Sequence, residues 1–530
     1  MTFEQQAATM SRCDIVALLA LHSELKSSHS DLEAAYTEAQ QQLDWFKRQL
    51  FGSKSERRLV SPGGRQLWFG EMNADEGSPA PSEVTVPEHK RRAAGHPSSQ
   101  EDEDVVRFDD SVPVETVVIP NVEIPAEEID EYVEVGEKVT TRLAQRPAAY
   151  VVLRIVRRTL KRKRDGAFSC PPAPLSVLEK SPADVSFLAG LLIDKVAYHL
   201  PLYRQHQRLA ASGIRLARST LTNYFHRTAA LLEPIHDAQL ASILESDILA
   251  MDETPIKAGR KKGKPPSRGR MKTGYFWPIY GDRNEVAFPF APTRAQSVVR
   301  SLLKDFSGTL LSDGYRAYDS YAASMTEVVH AQCWAHVRRK FIEAEAMEPK
   351  LSGEALDLIS ALYDLEREAR SVGSPQKVLA HRRERSRPVV DTFFRALTEA
   401  NEKGVLLPSN PYTKAASYAA QREDALRVFL DDPRVPLDTN HVERALRPVA
   451  VGRKNWLFCT TEVGAHYLGI VQGLLSTCRL HGVDPFTYLV DVLQRVQFHP
   501  AKRVHELTPR LWPENFAAEP YQSMLERPSR

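Results

Sequence analysis

This 530-residue sequence predicts a multidomain α+β protein. Three observations carry that expectation. A heptad of apolar residues opens the chain, strand-like apolar runs alternate with helical segments between 246 and 345, and a long helical stretch then precedes a basic helix. A chain of this length holds several domains and at least one large core.

In residues 1–58, Leu18, Leu25, Leu32, Ala39 and Phe46 form one seam of the heptad, and His22, His29, Tyr36, Leu43 and Leu50 form the other. The pattern predicts a leucine-zipper-like helix, with a single amphipathic helix as the plainer alternative. Residues 59–110 are rich in Pro, Gly, Ser and charge and read as a flexible linker. Residues 111–175 alternate apolar and polar side chains (VETVVIPNVEI, AAYVVLRIVRRTLKRK), which predicts a small β-rich module.

Residues 176–245 are helical and hold a helix-turn-helix candidate. Pro201 opens a helix, Gly213 turns the chain, and Ser219 is expected to cap a second helix, STLTNYFHRT. That helix would offer Arg218, Thr220, Asn223 and Arg227 to a DNA groove. Helix pairs of this kind are also common in proteins that never meet DNA.

The segment 246–345 predicts three consecutive strands, SDILAMD, YFWPIYG and EVAFPFA, with GDRN as the turn between the last two. The helix PTRAQSVVRSLLKDF, the strand GTLLSD, the strand TEVVHAQ and the helix CWAHVRRKFIEAEA follow. With a helix between the last two strands, this β-β-β-α-β-α-β-α order matches a ribonuclease H-like α/β core. Residues 346–435 read as a helical insertion, 436–480 as a second part of the core, and 481–530 as a helical tail.

Bulk charge says little, because 70 Lys and Arg stand against 68 Asp and Glu for a net +2. Its distribution says more: 101–138 is acidic, whereas 257–272 is basic without one acid, as in a protein with a dedicated polyanion surface. The five scattered cysteines predict a reducing compartment, and no apolar run approaches a membrane span or a signal-peptide core. A cytoplasmic protein is expected.

Three carboxylates stand out. Asp252 (ILAMDET) and Asp313 (TLLSDGYRAY) each end an apolar strand, and Glu443 opens the basic helix of NHVERALRPVAVGRKNWLF. Hard divalent cations take oxygen ligands from rigid elements, so this set is expected to hold two Mg²⁺ ions, with Mn²⁺ able to replace them. The chemistry expected there is phosphodiester hydrolysis and transesterification. An Asp at a strand end is more often a turn former, and Glu253 rivals Asp252, although strand alternation would send it to the opposite face.

Cations surround these acids. Lys257, Arg260, Lys261, Lys262, Lys264, Arg268, Arg270 and Lys272 are placed in a loop between the first two core strands, and Arg444, Arg447, Arg453 and Lys454 follow Glu443. Phosphate binding is expected of both groups. Trp456 is open to two readings, a stacking platform for an unpaired base or a core residue. His330, Cys333 and His336 have metal-ligand side chains without an obvious fourth ligand for zinc, and buttressing of the acidic site is the other reading.

At LPLYRQHQRLAASGIRLARSTL, MDETP, LSDGYRAY, HAQCWAHVRRKF, NHVERALRPVAVGRKNWLF and GVDPFTYLVDVL the chain resembles the large transposase of insertion sequence 66-type bacterial elements. FKRQLFGSKSER is similar to the end of that family's leucine-zipper-like start. The resemblance implies a DDE transposase with Asp252, Asp313 and Glu443 as its triad, bound to the element's terminal inverted repeats and to target DNA. It further implies a nucleoid-associated, self-associating enzyme and two small accessory proteins from the same element. Two departures stand against the family pattern. The cysteine pairs that commonly precede the helix-turn-helix region are absent, only Cys170 lying between Cys13 and Cys333, so that zinc module is expected to be either lost or replaced by a metal-free β module. The Asn-rich approach to the glutamate is here Asp438, Thr439, Asn440 and His441. A nuclease without strand transfer and an inactive DNA-binding relic are the competing readings.

Overall fold

The computed structural model describes residues 106–146, 149–260, 270–371, 373–402 and 406–526, together with Lys26. The heptad seams and nearly all of the linker lie outside these residues. The chain divides into two compact units. Among the described residues, the smaller unit comprises Lys340–Leu356 and Leu406–Ala415. There Phe341 meets Tyr412 edge-on at 5.6 Å, and Asn410 Nδ2 donates to Glu348 Oε1 at 2.8 Å. The five-stranded sheet and the site at its end belong to the larger unit.

That unit begins with strand β1 (Arg107–Phe108), followed by β2 (Val114–Ile119), β3 (Tyr132–Arg146), β4 (Ala149–Arg162) and β5 (Phe168–Ser169). Strand β4 is central, parallel to β2 and antiparallel to β3. Alternation works as the sequence suggests: Ala144, Leu153 and Ile155 point to one side and are buried with Val151. Leu525, from the far end of the chain, closes this small core.

Helices α1 (Val185–Val196), α2 (Leu202–Ala211), α3 (Arg218–Leu231) and α4 (Glu233–Leu244) follow. Gly213 sits at φ +79° between α2 and α3, a left-handed conformation that glycine adopts without a Cβ clash. The short β6 (Ile214–Arg215) after it pairs with β1. The cap of α3 differs from expectation. Its N-cap is Ala217, with no side-chain cap hydrogen bond, and Ser219 lies inside the first turn.

The core sheet has five strands: β7 (Ile248–Met251), β10 (Ile279–Gly281), β11 (Val286–Ala287), β13 (Gly308–Ser312) and β14 (Val328–Gln332), in spatial order β11-β10-β7-β13-β14. Strands β7, β13 and β14 run parallel, whereas β10 is antiparallel to β7 and β11 to β10. Two prolines correct the expected strand pattern. YFWPIYG breaks at Pro278 into β9 (Met271–Phe276) and β10, and EVAFPFA breaks at Pro289 into β11 and β12 (Phe290–Ala291). A proline has no N–H for a ladder, so each break lets the chain leave the sheet. The outer halves instead join β8 (Thr254–Arg260) in a separate ribbon, ordered β12-β9-β8. The basic segment therefore starts within a strand, β8, rather than in a loop between two core strands.

Helices α5 (Gln296–Leu303) and α6 (Arg316–Ala323) bury Val299, Leu303, Tyr318 and Tyr321 against the sheet residues Leu249, Met251, Ile279 and Leu310. The chain then runs through α7 (Trp334–Ala344), α8 (Pro349–Ser371), α9 (Pro375–His381), α10 (Arg387–Glu402), α11 (Pro411–Ala420) and α12 (Glu423–Arg427). Buried Arg382 holds the turn after α9: it pairs with Glu366 and donates to the carbonyls of Phe429, Asp432 and Val435. The chain comes back to the sheet where Trp334 N donates to Leu437 O at 3.1 Å.

Helices α13 (Asn440–Trp456), α14 (Glu462–Leu480), α15 (Pro485–Arg495) and α16 (Trp512–Phe516) complete the unit. A Cβ on Gly469 of α14 would fall 2.2 Å from the Phe288 carbonyl, so only glycine allows that helix so near the sheet. The cysteines among the described residues are free thiols, and no helix among those residues is long and apolar enough to cross a membrane.

Candidate active site

Parallel pairing of β7 with β13 puts Ala250 opposite Leu311, so the two strands end side by side. Asp252 and Asp313 come just past those ends. Each spends one oxygen on a local turn: Asp252 Oδ1 accepts from Glu253 N at 2.7 Å, and Asp313 Oδ1 from Tyr315 N at 2.9 Å. The turn-forming reading of Asp313 is thus correct, and it leaves the second oxygen available.

Glu253 joins them, contrary to expectation. Strand β7 stops at Met251, so the alternation that would send Glu253 to the opposite face has already ended. One oxygen each from Asp252, Glu253 and Asp313 lies within 4.8 Å of the others. Glu253 is also ion-paired with Arg294 and accepts from the Tyr318 hydroxyl at 2.8 Å.

Glu443 enters from the first turn of α13, its Oε1 3.4 Å from Arg339 Nη2 and 3.9 Å from His336 Nε2. With the two aspartates and Glu253 it lines one open cleft of about 740 Å³, walled also by Arg294, Asn440, Arg444 and Arg447. Burial pushes the Asp252 carboxyl up to about 7; the Glu253 N–H opposes this, and the charges of Glu253, Asp313 and Glu443 add to it. Burial likewise raises Glu253. Clustered carboxylates that resist ionising together are what a divalent cation relieves, and an all-oxygen donor set suits a hard ion. The residues fit such an ion.

A half-buried hydrogen-bonded brace holds the end of β13. Ser312 Oγ lies 2.9 Å from His330 Nε2, His330 Nδ1 lies 3.2 Å from Asp319 Oδ1, and Gln332 Nε2 donates to the same oxygen at 2.9 Å. Ser312 is fully buried, so no substrate reaches its hydroxyl. His330, Cys333 and His336 do not converge: among the described residues, the three-residue set whose ligand atoms meet is Asp252, Glu253 and Asp313. Cys333 instead accepts hydrogen bonds from Thr439, just before α13. The buttress reading fits this arrangement and the zinc reading does not.

The expected DNA-binding residues divide. On α13, Arg444, Arg447 and Lys454 are exposed. Arg453 is engaged, donating to Thr254 Oγ1 and the Pro255 carbonyl at 2.9 Å each. Trp456 is buried, its indole beside Gly452, where a Cβ would meet Nε1 at 2.6 Å and His199 Nδ1 at 3.0 Å. The core reading of Trp456 therefore replaces the stacking one. In the β8–β9 ribbon Arg260 and Arg270 are exposed, Lys257 donates to Thr273 Oγ1 at 2.7 Å, and Lys272 is paired with Glu462 at 2.7 Å. Lys261, Lys262, Lys264 and Arg268 lie outside the described residues. On α3, Arg218, Asn223 and Arg227 are exposed, whereas Thr220 faces inward at 5% exposure and so cannot read a groove.

Sequence reasoning missed Arg294, Tyr318 and Arg339. Nothing in their local sequence marks them, because the tertiary fold delivers each to the acids.

The sequence matches the model of the transposase IS66 family over residues 180–467, the IS66 C-terminal element over 474–510, and a transposase C of IS166 homeodomain over 38–117. Uncharacterized protein y4hP of Sinorhizobium fredii (strain NBRC 101917 / NGR234) is 32% identical across 73% of this chain and 72% of its own. Uncharacterized protein y4jD of the same organism is 29% identical across 90% and 94%. A Drosophila P element transposase strand transfer complex overlaps 57% of this chain and 92% of that one, at 12% identity and a TM-score of 0.29. The first of those family matches takes in both strand-end aspartates and the glutamate that lines their cleft from α13, and the chain belongs to the IS66 family of transposases.

Proposed function

We propose that this transposase is a DDE enzyme whose Asp252, Asp313 and Glu443 hold two Mg²⁺ ions in a ribonuclease H-like core. One observation carries the reading: the acids ending two adjacent parallel strands share a cleft with a glutamate from a distant helix, beside the exposed Arg444 and Arg447. The strand order supports it, with the first strand central, the next two antiparallel to one side and two parallel strands on the other.

Bound there, the ions would activate an attacking oxygen and offset charge on the phosphorus and leaving oxygens. The chain's own residues do the rest. Arg444 and Arg447, a turn apart on α13, receive phosphates flanking the scissile bond. Arg294 and Tyr318 fix Glu253, which keeps the Asp252 loop in place. Arg339 and His336 steady Glu443. In the first step a water oxygen bonds to phosphorus and the P–O3′ bond breaks, leaving a 3′-OH at the element's end. In the second, that 3′-OH bonds to a target phosphorus while a target P–O3′ bond breaks, so the number of phosphodiesters is conserved. Two ends must be joined, so the working form is a homo-oligomer on terminal inverted repeats and target DNA, assisted by two small proteins of the same element.

A 3′-end nicking and strand-transfer assay on the element's own terminal DNA tests this. Mg²⁺-dependent joining should vanish in Asp252→Asn, Asp313→Asn and Glu443→Gln while DNA binding survives. Cleavage without joining in the wild type would mark a nuclease, and binding without chemistry a relic. One second assignment has an observation behind it: Glu253 lies within the 4.8 Å cluster and competes with Glu443 as the third ligand. Loss of cleavage in Glu253→Gln, with Glu443→Gln active, would transfer the role.

A further inference from the structure

The helix that carries Glu443 ends in an exposed apolar tip. Trp456 is buried, but the next two residues are not: Leu457 is 63% exposed and Phe458 40%. Single exposed hydrophobics are ordinary. Two in succession on a constrained backbone, beside a basic ribbon, are not.

The constraint is specific. Leu457 has φ +62° and ψ −45°, and Phe458 N donates back to Trp456 O at 2.7 Å. This is a γ-turn of the positive-φ kind, rare and strained for a residue with a Cβ. The turn is clamped from both sides. Leu457 N still donates to Arg453 O at 3.1 Å, while Cys459 N donates to Lys257 O at 2.8 Å and accepts at its carbonyl from Gly259 N at 3.1 Å. A strained turn fixed by its surroundings, presenting apolar groups to water, is costly unless those groups meet something.

What they would meet follows from the neighbours. Strand β8 beside Cys459 leads into exposed Arg260, and Lys454 is exposed one turn before the tip. The nearby acid, Glu462, is already paired with Lys272. An apolar tip on a clamped backbone, with exposed cations on the adjoining helix turn and strand, complements a duplex, whose phosphates flank an apolar base stack. A protein surface would supply no such regular pair of negative rims.

We propose that Leu457 and Phe458 form a wedge that inserts against a base step of the element's terminal duplex. The inference rests on the transposase reading and adds the contact that Trp456 cannot make. The tip begins fourteen positions after Glu443, about 21 Å along the axis, so the wedged step lies within about six base pairs of the cleaved bond.

The test uses the full chain with a terminal duplex carrying 2-aminopurine at successive positions, in chelator so that no cleavage occurs. The expected result is a several-fold fluorescence rise on binding, confined to one step within about six base pairs of the cleavage point. Phe458→Ala and Leu457→Gly should abolish the rise and weaken binding about tenfold, while Phe458→Trp keeps both. The salt dependence of binding should not change, because no phosphate contact is removed. Leu457→Gly guards against misfolding, since glycine relieves the positive φ and should melt no lower than wild type. Unchanged fluorescence and affinity in both deletions would overturn the wedge, and a loss of self-association in them would assign the tip to a protein contact instead. Failure of Mg²⁺-dependent joining would not touch this readout, so the two readings fail separately.

Discussion

Thr439 donates both its backbone N–H and its hydroxyl to the Cys333 sulfur, each at 3.3 Å, across 106 residues of sequence. Cys333 follows β14 and Thr439 precedes α13, so this buried pair fastens the start of the Glu443 helix to the sheet bearing the two aspartates. The residues between can then fold elsewhere without displacing the glutamate. Cys333→Ala leaves two buried donors unpaired and should cost about 1–3 kcal/mol. Thr439→Val removes only the hydroxyl and should cost about 1 kcal/mol. Denaturant unfolding checks the order, and an equal or reversed pair of losses would refute the anchoring role.

Neutralising Asp252 should stabilise the metal-free protein. Burial raises its carboxyl to about 7, against about 3.9 unfolded, so the folded state holds the proton more tightly. The resulting stability is fully present below about pH 4 and is lost as pH rises through about 7, up to about 4 kcal/mol in all. Asp252→Asn should therefore melt higher than wild type at about pH 8 in chelator, and gain little from added Mg²⁺. A variant that melts lower there, or that keeps the full Mg²⁺ shift, would remove Asp252 from the site.

Much of this site is readable in the sequence, and the reason is local. ILAM and GTLLS are short, largely apolar runs of the length of interior strands, and an acid directly after each falls at a sheet end. Orientation is less readable. Glu253 joins the cluster because β7 ends one residue earlier than its pattern suggests, a boundary set by the departure of β8. Thr220 and Trp456 look available in their own segments and are covered by others, as His199 beside Trp456 shows. The split strands were legible in principle, since Pro278 and Pro289 each forbid a ladder bond.

His236 on α4 supplies an acid-sensitive joint away from the cleft. Burial, and then the nearby charge of His466, lowers its imidazole to about 4, with Glu233 opposing, and its buried Nδ1 has no hydrogen-bond partner among the described residues. The folded value lies below the unfolded one, about 6.5, so stability is complete above about pH 6.5 and is lost as pH falls through about 4. That span amounts to about 3 kcal/mol. His236→Leu should flatten the decline in thermal midpoint over this window. An unchanged pH profile would mean that other groups govern the acid transition.

The cations of the α13 region should separate by what they already hold. Arg447 and Lys454 are exposed, and no ion pair involving them is found among the described residues, so phosphate contact is the role open to them. Each contributes by releasing counterions, so Arg447→Ala and Lys454→Ala should each lower the slope of log binding constant against log salt by about one. Their thermal midpoints should hardly move, because an exposed side chain without partners adds little to stability. Arg453 is the contrast. Its Nη1 bridges Thr254 and Pro255 at the start of β8, so Arg453→Ala frees the ribbon from the helix. It should cost about 1–3 kcal/mol in denaturant unfolding and leave the salt slope nearly intact. Lys272, paired with exposed Glu462, falls between, since the ion pair must break before a phosphate can take its place. Glu462→Gln should therefore strengthen DNA binding modestly, and weaker binding in that variant would show that Lys272 serves only to tether β9 to α14.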